Sequence, residues 1–219
     1  MIQSKAIDIL RGLSRKEFLQ FGKYLDSAAF VSNRNLSKLY RFIKPYHPAL
    51  YSEKITKENI YRSVYVNSGF NDAKTRKLLS DIYKEAEKFI VIMNTLSHKE
   101  IYDKTLLEEF DKRKLDSMFN SKYEEYNAYL DKSEKTYSYF LEKYQTEWKN
   151  VMFYLERGMQ HKIALNIYKR SEYLIFLFLS DLFITLNDIE SNKQKFNIGS
   201  SINLAEAFIS CLNDKKLFE

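Results

Sequence analysis

Cysteine is all but missing from this 219-residue chain. Cys211 stands alone, so neither an internal disulfide framework nor a thiolate zinc cluster can form. Glycine and proline are also scarce, at 5 and 2 residues, against ordinary usage of roughly 7% and 5%. Turns draw on both, so a many-stranded sandwich or barrel would lack its corners. Gly12, Gly22, Gly69, Gly158 and Gly199 are scattered singly, with no G-x-G or G-K-[ST] pattern, which excludes a glycine loop cradling phosphate. The most apolar run, Tyr173 to Leu186, spans 14 residues and carries Asp181, too short for the roughly 20 apolar residues of a membrane span. No basic segment followed by an apolar one opens the chain. These absences predict a soluble, cytoplasmic protein with no membrane partner.

Hydrophobic residues, by contrast, supply 45% of the chain, enough for a sizeable core. Their spacing is helical nearly throughout. Ser14 to Glu17 reads as a capping box ahead of Phe18, Phe21 and Leu25 on one face. Leu36, Leu39, Tyr40 and Ile43 follow at i, i+3, i+4 and i+7. Pro45 and Pro48 end that helix. Thr56 caps a short helix carrying Ile60, Tyr61 and Val64, and Asn71 or Asp72 caps one running to about Asn94. Ser97–Glu100 and Ser121–Glu124 repeat the capping-box pattern. From the latter a single helix is predicted to about Arg157, since Tyr123, Leu130, Tyr137, Tyr144 and Val151 recur every seven residues. A second seam holds Tyr126, Phe140, Trp148 and Leu155. Gly158 breaks the pattern before a helix that is apolar on every side between 174 and 186, as befits burial among neighbours. A polar loop from Ser191 to Ser200 and a helix from Ile202 to Leu212 complete the prediction.

The fold class expected is all-α: stacked antiparallel helical hairpins, a repeat-like arrangement, with a smaller basic N-terminal helical region. Helix should exceed about 60% of residues, with Leu78, Ile82, Phe89, Trp148 and Phe178 in the core. Two regions are expected, a basic one of short helices over 1–96 and a hairpin one over 97–219, packed together without a flexible linker. The net charge of +6 is unevenly placed. Residues 1–77 hold 15 Lys/Arg against 6 Asp/Glu, and the remainder 20 against 23.

Chemistry-bearing constellations are few. His47, His98 and His161 lie 51 and 63 residues apart and read as surface or loop side chains. Glu108-Glu109 and Glu124-Glu125 are helix neighbours diverging by about 100°, so neither pair can face one substrate. No catalytic residue, cofactor site or metal site is therefore expected, and the chain is read as a non-enzyme. The basic residues are more suggestive. Arg34, Lys38 and Arg41 share one helix face. Lys74, Arg76 and Lys77 occupy the first turns of another helix, where positive charge opposes the dipole. These six are the candidate nucleic-acid contacts.

Three resemblances bear on this reading. Residues 55–90, a short helix, a turn at Asn67–Gly69 and a longer helix, resemble helix-turn-helix and winged-helix modules in outline, without a following wing. Trp148, Val151, Leu155, Ala164, Tyr168 and Ser171 are similar in spacing to one tetratricopeptide repeat, with Met152 where that repeat takes a small residue. The segments LSRKEFLQFGKYL, LYRFIKPYHP, ITKENIYRSVY and NDAKTRKLLSDIYKEAEKF resemble a family of uncharacterised all-helical bacterial proteins. That family implies no activity, only an architecture that is reused, often as the front of a longer helical chain. The function expected is a non-catalytic helical scaffold for protein–protein interaction, binding a protein partner or a second copy of itself. The alternative is a helix-turn-helix-like regulatory protein that binds nucleic acid through its basic N-terminal region.

Overall fold

The computed structural model describes residues 4–196 together with Ala207, Phe208 and Ser210. Every regular element among them is helical, at 78%, in line with the periodicity and the shortage of turn residues. The chain divides into two units, Met1–Lys99 and Glu100–Glu219.

Unit 1 holds α1 (Lys5–Arg11), α2 (Arg15–Asp26), α3 (Asn35–Ile43), α4 (Lys57–Val64) and α5 (Asp72–Ser97). Side chains start four of these helices, α3 being the exception. The Ser4 hydroxyl accepts from the Ala6 N–H, Ser14 and Glu17 form the full reciprocal capping box, Thr56 accepts from Asn59, and Asn71 accepts from Lys74. Each satisfies an N–H that the helix leaves orphaned. The 26-residue α5 is the common wall, touching α1, α2, α3 and α4. Phe21, Leu25, Ile43, Ile60, Leu78, Ile82 and Phe89 meet in one core. Gly22 lets α2 and α3 close: a Cβ there would overlap the Tyr40 ring, whose hydroxyl donates to the Phe18 carbonyl at 3.1 Å.

Unit 2 holds α6 (Lys99–Lys112), α7 (Asp116–Leu130), α8 (Tyr137–Glu156) and α9 (Ile163–Phe196). The uninterrupted helix expected from Ser121 to Arg157 is not there, because residues 131–136 turn the chain back. Phe119 stacks on Phe153 at 3.8 Å, and the hydroxyls of Tyr123 and Tyr126 reach Glu147 and Glu142, each at 2.8 Å. Rising numbers on α7 thus meet falling numbers on α8, and the seven-residue seam becomes two facing sides of an antiparallel hairpin. Ser121 accordingly lies inside α7, and Ser97 ends α5, so neither opens a helix.

Gly158 does end α8. At φ +67° it allows the Met159 N–H to reach the Tyr154 carbonyl at 3.0 Å and its own N–H to reach Leu155 at 3.1 Å, the paired bonds of a left-handed C-terminal stop. The chain then returns as α9, antiparallel to α8, with Tyr173 against Tyr139 and Phe176 against Phe140. α9 continues through the expected loop start at Ser191 as far as Phe196. Apart from Ala207, Phe208 and Ser210, the predicted 202–212 helix lies outside the described residues, as does Cys211.

Two expected core residues are not in the core. Leu78, Ile82 and Phe89 are buried, but Trp148 is 45% exposed and Phe178 46%. Nor is the run from 174 to 186 enclosed: Leu174, Ile175, Phe176, Phe183 and Ile184 are all exposed. The apolar pattern identified a helix with much to bury, but α8, at 20 residues against 34, covers only one side of it. Starting at Tyr137, α8 is outrun by α9 by roughly four turns. Of the six residues spaced like a tetratricopeptide repeat, only Val151 is buried.

Candidate functional site

The most polar interior of the molecule lies along α8. Its inward face carries Lys143, Glu147 and Asn150, spaced four and three apart and each no more than 3% exposed. That spacing puts three polar groups in one row on a helix face. They form one side of a cleft of about 620 Å³, bounded by α7 through Tyr123 and Asn127, by the α8–α9 connection through His161 and Lys162, and by α9 through Lys169.

Lys143 is well satisfied. Its ammonium lies 2.7 Å from Asp131 Oδ1 and donates to Asn127 Oδ1 at 2.9 Å, two of its three donors. Glu147 is less so. It accepts one hydrogen bond, from the Tyr123 hydroxyl at 2.8 Å, and burial raises its pKa above the ordinary carboxylate value. Burial likewise raises the Tyr123 pKa, reinforced by the Glu147 charge, so Tyr123 acts as a donor. Asn150 Oδ1, fully enclosed, has no hydrogen-bond partner. At the mouth His161, Lys162 and Lys169 are exposed.

A second buried cluster in unit 2 is structural. Arg157 reaches Asp111 at 2.9 Å and Asp116 at 2.6 Å, and Lys149 reaches Asp111 at 2.8 Å. Burial pushes the Asp111 carboxyl up, but the bonds to Lys149 and Arg157 outweigh it and hold its pKa below the ordinary value. The cluster ties α6, α7 and α8 together. With its donors and acceptors matched, it leaves nothing open to a ligand.

The six basic candidates all fall in unit 1. Arg34, Lys38 and Arg41 are exposed on or beside α3, and Lys74, Arg76 and Lys77 are exposed on the first turns of α5. Asp26 engages two of them, pairing with Arg41 at 3.3 Å while its backbone carbonyl accepts from Arg34 at 3.1 Å; Asp72 pairs with Arg76 at 2.9 Å. Of the three histidines, His98 and His161 are exposed, whereas His47 is half-buried, stacked on Phe18 at 4.0 Å.

Sequence reasoning missed the cleft. Its signal was the row Lys143, Glu147, Asn150 on the same side of α8 as Val151, where an ordinary core face would be apolar. None of the family models, curated proteins or solved structures compared with this chain matches it. Among the described residues no helix is long and apolar enough to cross a membrane.

Proposed function

We propose that this chain is a non-catalytic helical scaffold for protein–protein interaction, and that α9 is the element through which it binds. The observation that carries this reading is the largely exposed apolar face of that helix, touched at one end by Phe208 on Phe178. Ile167, Tyr168, Ser171, Leu174, Ile175 and Phe178 fall within about 120° of arc on a helical projection. Five of the six are large and apolar, and they are 44–71% exposed. Lys169, Arg170 and Glu172 project elsewhere, so the face carries no charge.

An apolar surface on the order of 500 Å² is at the upper end of what monomers leave uncovered. With a polar rim it approaches the roughly 800 Å² per partner of a stable interface. The occupant it fits is a second copy of this chain, α9 against α9 about a two-fold axis. An uncharged stripe meets itself without like-charge repulsion, and an isologous contact needs only one self-complementary patch. The resemblance of the first hundred residues to a bacterial helical family is compatible with this and adds no activity to it.

Sedimentation equilibrium at tens of micromolar tests the assignment. A dimer is expected, converted to monomer by Leu174→Glu combined with Ile175→Glu without loss of helical circular dichroism. A wild-type chain that sediments as a monomer overturns it.

One observation favours the nucleic-acid alternative: unit 1 holds 18 Lys/Arg against 9 Asp/Glu, and unit 2 holds 17 against 20. Binding through Arg34, Lys38, Arg41, Lys74 and Lys77 would give a log–log salt slope near about −4 on duplex DNA, and Lys74→Glu with Lys77→Glu would nearly abolish it. The acidic partners of Arg41 and Arg76 already neutralise part of that charge, which ranks this reading second.

A further inference from the structure

The cleft in unit 2 is built at its floor for a hydrogen-bond donor and at its mouth for an anion. At the floor, Asn150 is 2% exposed with an orphaned Oδ1, and Glu147 is 2% exposed with a single hydrogen bond. An unpaired buried carbonyl oxygen is destabilising, and a buried carboxylate more so unless several donors surround it. Neighbouring donors do not relieve them. Lys143 is held by Asp131 and Asn127, and the Tyr123 hydroxyl is spent on Glu147. At the mouth, His161, Lys162 and Lys169 come from the α8–α9 connection and the first turns of α9. Among the described residues none of the three is held in an ion pair, although Lys162 lies over the Tyr154 ring at 5.2 Å, the Lys169 and Lys143 charges are felt at Glu147, and Glu124 lines the same mouth.

We propose that this cleft binds a small zwitterion, a molecule with a protonated amine and a carboxylate, the amine seated on Asn150 Oδ1 and Glu147 and the carboxylate among His161, Lys162 and Lys169. The amine supplies the donors that both acceptors lack, and its charge matches the buried carboxylate. The carboxylate finds the unpaired cations at the rim. A simple anion would leave the floor unsatisfied, and a simple amine would meet Lys162 and Lys169 against the carboxylate of Glu124 at the rim. The volume of about 620 Å³ lies within the range of small-molecule sites. The cleft and the exposed face of α9 use different residues, so this inference stands apart from the pairing of α9.

Isothermal titration of the full chain with the series glycine, β-alanine, γ-aminobutyrate, δ-aminovalerate and ε-aminocaproate tests the proposal. Butyrate and butylamine serve as single-ended controls. At least one zwitterion is expected to bind at least about tenfold more tightly than either control, the worth of one charge-assisted hydrogen bond. Asn150→Leu should remove the preference over butyrate, and Lys162→Ala with Lys169→Ala, both on the surface, should remove the preference over butylamine. If Asn150→Leu lowers helical circular dichroism, Asn150→Asp replaces it and should tighten binding of the amine end. A cleft that only holds water would show no heat with any member of the series. That result, or zwitterion binding indifferent to the Asn150 and lysine changes, overturns the proposal.

Discussion

Among the described residues unit 1 buries Ser37 and Thr75 and otherwise a continuous apolar core, whereas unit 2 buries Asp103, Asp111, Lys143, Thr146, Glu147, Asn150 and Asn166. Both units bury rings, Phe18, Phe21 and Phe89 in unit 1 and Phe119, Tyr126 and Phe153 in unit 2, and unit 1 exposes Phe30, Tyr51 and Phe70 in its loops; unit 2 differs in leaving Phe176, Phe178 and Phe183 about half in water along a single helix. A fold that hides charge and shows rings has spent interior space on polar groups and left apolar surface over. Unit 2 thus differs from unit 1 in hiding charge and in gathering its exposed rings on α9.

The comparison can be broken most directly with two phenylalanines. Phe21→Ala should cost about 3–5 kcal/mol, as for any ring removed from a close-packed core. Phe178→Ala should cost less than about 1 kcal/mol, because the ring is half exposed and touches Phe208 edge-on. Urea midpoints followed by circular dichroism measure both. Equal losses at a dilution where the chain is monomeric would mean that α9 is covered within the single chain and the contrast between the units is false.

Arg157→Met probes the polar side of the comparison. The guanidinium is 9% exposed and Asp111 8%, and removing one partner strands the other, a loss of about 3 kcal/mol. Trp148, the single tryptophan, lies in unit 2 and reports its unfolding by fluorescence. The pH dependence has a definite sign. Since the folded pKa of Asp111 lies below its ordinary value, its stabilisation is present above the unfolded pKa of about 3.9 and lost as pH falls through the folded value. The gap between wild type and variant should therefore narrow in acid. A constant gap down to the acid limit would show that packing of the arginine stem, not its charge, carries the effect.

The same contrast explains what was legible. Ser14, Thr56 and Asn71 announce the unit 1 helices because a small polar side chain caps each one, and the helical spacing of Leu78, Ile82 and Phe89 maps directly onto an apolar core. In unit 2 the caps disappear: α7 follows Leu115 and α8 follows Thr136, neither with a side-chain cap bond. The turn at 131–136 interrupts no spacing, since Leu130 and Tyr137 keep the interval of seven, so the seam read as one helix. Trp148 and Phe178 read as core because periodicity shows that a face is apolar, not whether a neighbour covers it. The cleft escaped because Lys143, Glu147 and Asn150 carry no motif. Only their recurrence on an inward face marks them, and which face is inward depended on a hairpin the spacing had concealed.

Glu147→Gln sharpens the polar side with a smaller effect. Burial raises the folded pKa of Glu147, so its contribution to stability is fully present below the unfolded value of about 4.3 and is lost as pH rises through the folded pKa. Gln keeps an acceptor for Tyr123 and stays neutral at every pH. The variant should melt a few degrees higher than wild type at neutral pH, the difference vanishing toward acid. A variant that melts lower at neutral pH would mean that the ionised carboxylate is stabilised in place.

The smallest expected effect concerns how unit 2 ends its helices. Lys114, just past α6, holds φ +57° while its N–H reaches the Asp111 carbonyl at 3.0 Å and the Leu115 N–H reaches Phe110 at 2.8 Å. This is the same left-handed stop that Gly158 provides after α8, made with a side chain that a left-handed backbone disfavours by roughly 1–2 kcal/mol. Glycine removes that strain but gains freedom in the unfolded chain, offsetting about 0.5–1 kcal/mol. Lys114→Gly should therefore stabilise unit 2 by about 0.5–1 kcal/mol, seen as a higher urea midpoint of Trp148 fluorescence with an unchanged slope. Lys114 also lies 3.7 Å from Glu156, a pair with both side chains at least half exposed, and such pairs contribute little. If Lys114→Gly and Lys114→Asn both destabilise the unit, that pair matters more than the backbone, and α6 is stopped by charge rather than by its left-handed residue.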